Sequence, residues 1–473
     1  MGARAWGMLI VLCGAIFLEG IDVAMLNVAL PTIREDLGMS TGAVSWVMSA
    51  YVLAYAGFML LGGRTADLLG RRRMFLFWLT VFLVFSGLGG FATEGWMLIV
   101  ARFVTGASAA FMTPAGLAII TTSFPEGPQR NRALLFYAGT AAGGFSLGLV
   151  IGGLLTAIDW RLVFFVPVVL AAVILVVASA LIPKDGRPER NGQGFDVAGA
   201  ISVTGSMLLL VYGVVRLEHP AHGWGWTIAV FAGGIALLVA FVAAERRAGT
   251  PLVRLGILRS GALVRANLGA MLFAGSFFGF QFVAVFYLQE VRGWSTLETS
   301  FALLAVGVDA VLAPTVTPRL VDRFGNLRVI LGGMLLAALA YALFLSIDAD
   351  TSYAAMFPTM LLLGLAFSLA YGPLTITATD GIDEDEQGLA GGLLYTAFQF
   401  GAALGLSTVT AVLAGAAGSE LDGFRTALLV PLVGVLLGAV VTTFGLRGRA
   451  RVSVGWALSG GSWRTHRDPP DRA

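Results

Sequence analysis

"RTADLLGRRR", residues 64–73, returns as "RLVDRFGNLR", residues 319–328. At an offset of 255 residues Arg64 falls on Arg319, Asp67 on Asp322, Gly70 on Gly325 and Arg73 on Arg328. Each stretch is a short, charged, glycine-containing connection between two long apolar runs. A joint that recurs at the same place in two successive sets of apolar runs indicates internal duplication.

Composition says what is duplicated. The chain has 473 residues, of which 57% are hydrophobic and 12% charged, and its mean hydropathy is +0.85. Soluble domains carry about 25% charged residues. The apolar blocks are near the length that crosses a bilayer. We read fourteen spans, near 6–30, 43–63, 74–93, 97–121, 135–158, 162–182, 198–215, 227–245, 266–288, 301–318, 329–347, 353–378, 389–415 and 426–446. The expected protein is all-α and membrane-embedded: a six-span bundle (1–190), a linker with two inserted spans (191–262), a second six-span bundle (263–446) and an Arg-rich disordered tail (447–473). Repeated halves of this kind are typical of secondary transporters. The first block is too long for a signal-peptide core and is read as a retained span. The lone cysteine, Cys13, excludes an intrachain disulfide or a Cys-based metal site.

Charge placement sets the orientation. With an even span count, one set of loops and termini holds 24 of the 30 Lys and Arg residues and the other set holds 5. The positive-inside rule then puts both termini in the cytoplasm of a cell-membrane protein. The loop "TDGIDEDEQG" (379–388) departs from this pattern by being acidic. Acidic residues have little influence on topology.

Several motifs together resemble the major facilitator superfamily, and within it the fourteen-span drug/proton antiporter branch. "GGRTADLLGRRR" (62–73) is similar to the superfamily's loop motif, and "ARFVTG" (101–106) to its span 4 motif, with Thr105 where Gln is usual. "DVAMLNVALP" (22–31) resembles the branch's span 1 signature. "GLVIGG" (148–153) resembles the span 5 antiporter motif, with Leu149 in place of its proline. "FYLQEVRGWS" (286–295) resembles the end of span 9. The resemblance implies the major facilitator fold, alternating access and a proton gradient in place of any cofactor. It points to Asp22, Asn27, Arg102, Gly144, Gly148, Gly152 and Gly153, and to a cytoplasmic gate of Gly63, Asp67, Gly70, Arg71, Arg72, Asp322, Arg323 and Gly325.

Physical reading of the spans adds to that set. A guanidinium within a span costs roughly 2.5–3.5 kcal/mol on insertion scales, so Arg102 must find an acid or a carbonyl. Asp22, or a carbonyl near Gly20, is the expected partner. Glu19 and Asp22 lie three residues apart, about 60° around one helix and about 4.5 Å along it. Two carboxylates this close in a low dielectric cannot both carry charge cheaply, which makes one of them the natural proton site. We favour Asp22, with Glu19 as a second proton site or an attractor for a cation. Asp309 stands mid-span, and Gln281, Tyr371, Tyr395 and Gln399 add polar points to an otherwise apolar cavity wall. Gly139, Gly143, Gly148 and Gly152 are expected on one face of span 5, with "AGGLLYTAFQFGAALG" (390–405) facing them from the other bundle.

The expected function is proton-coupled export of amphipathic drugs or antibiotics, cationic ones included. The expected partners are the small-molecule substrate, protons and the bilayer, without nucleic acid, in a monomer. Two rivals remain open on the sequence: a dedicated exporter of one self-made metabolite, and a non-transporting membrane sensor. Enzyme activity is not expected. The chain has no nucleotide loop or metal-ligand spacing, and its histidines, His219, His222 and His466, fall in a loop and the tail.

Overall fold

A computed structural model of the protein describes residues 3–39, 41–184, 197–217, 223–247, 255–348, 350–415 and 420–458. All regular structure among them is helical. The first six helices are α1 (Ala3–Asp36), α2 (Thr41–Leu69), α3 (Arg71–Gly90), α4 (Gly95–Ser123), α5 (Pro128–Thr156) and α6 (Leu162–Leu181). A pair follows, α7 (Val197–Leu217) and α8 (Trp224–Glu245). The last set is α9 (Gly261–Phe286), α10 (Thr296–Leu303), α11 (Asp309–Thr315), α12 (Thr317–Phe324), α13 (Asn326–Phe344), α14 (Tyr353–Thr379), α15 (Gln387–Gly415) and α16 (Glu420–Leu458).

These segments are helical because an apolar solvent leaves a chain no other way to satisfy its backbone one segment at a time. Their apolar residues run all round, since the faces toward neighbours and toward lipid are both apolar. Thirteen helical runs among the described residues are long and apolar enough to cross a membrane, and a shorter apolar run covers Ala198–Val214 within α7.

The sequence repeat is also a packing repeat. Against the same 255-residue offset, α1 packs on α5 as α9 packs on α15. Likewise α3 packs on α4 and α6 as α13 packs on α14 and α16. The motif glycine is the joint in both copies. Gly70 (φ 102°) and Gly325 (φ 81°) adopt the left-handed backbone between one helix and the next, a conformation that costs glycine nothing.

One expected span differs. The run 301–318 is not a single helix but α10, a 3₁₀ segment Leu304–Val308, α11 and then α12. Pro314 and Pro318 remove backbone donors there, and Gly307 weakens the helix before them. Its counterpart α2 has no proline and is continuous. At the C-terminus α16 continues to Leu458, into the stretch expected to be a disordered tail. Residues 459–473 lie outside the described residues, as do residues 185–196 ahead of α7 and the histidines His219, His222 and His466.

The span 5 glycines do not share one face. Gly144, Gly148 and Gly152 pack on α1, against Phe17, Ile21, Ala24 and Met25. Gly139 and Gly143 instead meet Ala313 and Ala310 of α11, and Gly153 meets Leu297 of α10. The reason is angular: five residues from 143 to 148 turn the helix by about 140° relative to that face. Nor does the glycine run of α15 face α5. Gly388 and Gly392 touch α2 at Gly63 and Met59, whereas Gly401 and Gly405 touch α9 at Met271 and Gly275.

A Cβ added at Gly148 would stand 2.7 Å from the Ala24 Cβ and 2.8 Å from the Ile21 Cα, whereas one at Gly332 meets nothing within 4 Å. Gly148→Val should therefore destabilise by at least the roughly 1–3 kcal/mol of core overpacking, while Gly332→Ala should be neutral. Thermal unfolding of the purified variants compares them, and equal melting temperatures would contradict this packing.

Candidate functional site

Three helices place a charged and hydroxylated cluster inside the first six-helix group. Arg102 on α4 is 1% exposed and Asp22 on α1 is 3% exposed. The Arg102 Nη1 donates to the Asp22 Oδ2 at 2.5 Å, so the expected intramembrane partner is the one found. The guanidinium also lies 4.2 Å over the Tyr51 ring of α2. A buried cation over an aromatic face gains further stabilisation.

Glu19 lies one turn away and is buried too, but with different company. The Thr113 Oγ1 donates to its carboxylate at 2.9 and 2.7 Å. The Tyr55 hydroxyl donates to it at 3.3 Å and lies 3.2 Å from Thr113 Oγ1. The described ion pairs give Glu19 no cation. Thr113 is also 2.9 Å from the Ala109 carbonyl. Its single hydrogen can therefore serve Glu19 or that carbonyl, but not both fully.

A group of tyrosine hydroxyls lies between here and the last set of helices. The side chains of Tyr137 of α5, Tyr371 of α14 and Tyr395 of α15 lie near one another there. The ring of Tyr371 packs on Phe398 and Phe367 at 5.0 and 5.2 Å. Tyr371 and Tyr395, expected on a cavity wall, are both buried. Gln281 and Gln399 are half-buried on α9 and α15, and Asn27 is exposed at the far part of α1. Asp309 opens α11, 2% exposed, with its Oδ2 unpartnered. No hydrogen bond or ion pair joins it to the Glu19–Arg102 cluster.

Sequence reading missed Tyr51, Tyr55, Thr113 and Tyr137. A signal existed for Thr113. It lies eleven residues after Arg102, three helical turns, so the two share a face of α4 to within about 20°.

The arginine-rich end of the bundle holds a lock between the two groups. Asp67, with its side chain 1% exposed, accepts the backbone N–H of Gly388 at 3.2 Å and of Leu389 at 3.0 Å. These are orphan donors of the first turn of α15, where a negative charge is favoured. Arg71 braces Asp67 at 3.3 Å and also donates to the Glu384 carbonyl. The acidic loop that broke the charge pattern is therefore the loop that meets this basic motif. Gly63 contacts the Gly388 backbone directly.

A second grip lies beside it. Arg130 of α5, 3% exposed, donates to the Thr379 carbonyl and to the Gln387 Oε1, each at 3.1 Å. Glu126 pairs with Arg130 at 3.2 Å and accepts the Gly381 N–H at the same distance. The corner between α14 and α15 is thus held by a cation at the end of one helix and an anion at the start of the next.

Three expected gate residues are placed otherwise. Arg72 donates to the Ser179 carbonyl at the end of α6. Asp322 is exposed, with no hydrogen bond or ion pair to a described residue. Arg323 is exposed too, over the Phe324 ring at 5.2 Å. The second copy of the motif keeps its joint, Gly325, but not the lock, because its acid does not reach an exposed helix start.

Apolar helices around a buried ion pair, a membrane-inserted repeat and a lock between its copies define a membrane transporter. The chain belongs to the Major Facilitator Superfamily, whose model matches residues 12–406. It is 34% identical to the puromycin resistance protein pur8 of Streptomyces alboniger, over 93% of this chain and 88% of that protein. It is also 34% identical to the cephamycin export protein CmcT of Amycolatopsis lactamdurans, over 88% and 86%. Its fold is similar to that of the proton:xylose symporter XylE, with a TM-score of 0.66, 16% identity, and 94% and 96% of the two chains covered.

Asp67→Ala removes the acceptor for two amides of α15. The amides of Gly388 and Leu389 should then exchange hydrogen for deuterium at least about tenfold faster, the equivalent of roughly 1.4 kcal/mol. Asp322→Ala should leave the exchange map unchanged. Equal protection in both variants would remove the lock from consideration.

Proposed function

We propose that the protein is a proton-driven exporter of amphipathic small molecules in the cell membrane. It has fourteen spans, counting α7, and both termini are cytoplasmic. The halves 1–190 and 263–446 rock about a midplane site, and the two-point lock closes the cytoplasmic end. The resistance and export relatives support the direction of transport, and the placement of arginine supports the orientation.

The observation that carries the coupling is the different company of the two acids of α1. Asp22 is committed to Arg102. Protonating it would orphan a fully buried guanidinium, and breaking a buried pair costs about 3–5 kcal/mol. Glu19 has only hydroxyl partners, so it can take a proton without stranding a cation. This moves the proton site from Asp22, favoured on sequence, to Glu19. When ionised, Glu19 accepts from Thr113 and Tyr55. When protonated, it donates to Thr113, whose own hydrogen turns to the Ala109 carbonyl. The proton thereby reverses a hydrogen bond between α1 and α4. The hydroxyls of Tyr137, Tyr371 and Tyr395 offer a route by which that change is felt in the other half.

The substrate exchanges along the apolar wall near Tyr371, Phe398 and the half-buried Gln281 and Gln399. In one cycle a proton enters from outside and displaces the substrate, the halves rock, and the proton leaves inward. No group other than the proton gradient is needed to drive it.

Proteoliposomes with an imposed pH gradient test this with puromycin as the probe. Glu19→Gln should lose gradient-driven uptake into inside-out vesicles yet keep gradient-independent counterflow. Asp22→Asn should lose both, together with thermal stability, because Arg102 is left unpaired. Normal gradient-driven transport by Glu19→Gln would refute the assignment.

A further inference from the structure

The inserted pair α7–α8 has no counterpart in the repeat, and the transport cycle above does not use it. Its place in the fold is specific. Two seams run between the halves. Along one of them α5 meets the opposite half directly: Gly139 against Ala313, Gly143 against Ala310 and Gly153 against Leu297. Along the other, α2 and α15 approach closely at Met59 and Gly63 on one side and Gly388 and Gly392 on the other. The earlier residues of α2 turn to α4, where Gly106 lies under the Tyr51 backbone, and the later residues of α15 turn to α9 at Gly401 and Gly405.

Beside this seam α7 packs on both α2 and α15. Its residues Ala200, Val203, Met207, Val211 and Val214 are all at least nine-tenths buried, and their spacing of three and four makes one inward stripe. Leu208 fits the notch at Gly57, where an added Cβ would meet its Cγ at 2.8 Å. Tyr212 stacks on Trp46 with centroids 6.0 Å apart. Toward α15 the contact is slighter, with the Ser407 hydroxyl donating to the Val214 carbonyl at 3.4 Å. Helix α8 packs behind α7: Ser206 donates to the Gly234 carbonyl at 2.8 Å, and Phe231 lies on Gly213. Its outer side chains Ile228, Ile235 and Val239 are exposed.

We propose that α7–α8 is a lateral seal, carried by α2 and sliding over α15, that keeps lipid out of the α2/α15 seam while the halves separate at the end opposite the lock. The unequal anchoring decides which half carries it. A side chain seated in a glycine notch and a stacked ring pair must be broken to leave α2, whereas the packing of α7 on α15 is slighter. The inference rests on the alternating-access reading, so its first test does not depend on transport.

The full chain with Cys13→Ser is placed in liposomes with a nitroxide on Ser407→Cys, and collisions with oxygen, which partitions into the bilayer, are measured. Oxygen accessibility should be low, and should rise when Leu208→Ala and Tyr212→Ala remove the anchors on α2. High accessibility in the parent, or none gained in the double variant, would overturn the seal. Two cysteine pairs test the motion. Oxidised Trp46→Cys/Tyr212→Cys should transport puromycin as its reduced form does. Oxidised Val214→Cys/Ser407→Cys should lose turnover and regain it on reduction, which excludes misfolding. Arrest by the first pair, or none by the second, would overturn the carriage by α2. If the reduced parent moves no puromycin at all, the transport reading fails, while the oxygen measurement still judges the seal.

Discussion

A guanidinium inside a bilayer is tolerable only when its charge is answered, and the protein answers Arg102 with Asp22. That requirement sets much else. It fixes the rotation of α1 against α4, since the acid must face the arginine. It brings Tyr51 of α2 over the cation, and so draws a third helix into the same contact. With α1, α2 and α4 oriented, Glu19 has one place to go, beside Thr113 and Tyr55. The ion pair thus does by geometry what it does not do by net energy, because desolvation offsets much of the Coulombic gain of a buried pair.

At the lock, the protein uses the ends of helices as charges. Asp67 meets the start of α15 and Arg130 meets the end of α14. Both partners lie on one corner of the opposing half. Backbone groups at a helix terminus cannot be lost by substitution, so such a lock needs only one side chain of the right sign on each grip. The duplicated sequence does not duplicate this arrangement. Asp322 has the residue type without the helix start.

What was legible in the sequence was whatever a membrane makes expensive. Arg102 and Asp22 could be paired on paper because each is costly alone. The joints at Gly70 and Gly325 were legible as a repeat. Hydroxyls were harder, because Thr and Tyr are cheap to bury and stand out only when their helical phase is compared with a charge. The span 5 glycines misled because spacing in residues was not converted to angle across the step from 143 to 148. Arg130 was hidden in the positive-inside tally, where an anchor and a cross-half contact look the same. The break in the span 301–318 was written in Gly307, Pro314 and Pro318, but hydropathy alone passes over it.

The contact between Gly63 and Gly388 is made by backbone alone. Elsewhere in a protein interior, parting two helices means withdrawing side chains from the hollows they fill, and each withdrawal adds to the barrier. Two smooth surfaces have nothing to withdraw. The resistance to opening at this point then comes from the few polar grips around it rather than from packing, so the rate of opening can be altered without loosening the rest of the bundle. The glycines behave as a bearing, and the charged residues beside them as the brake.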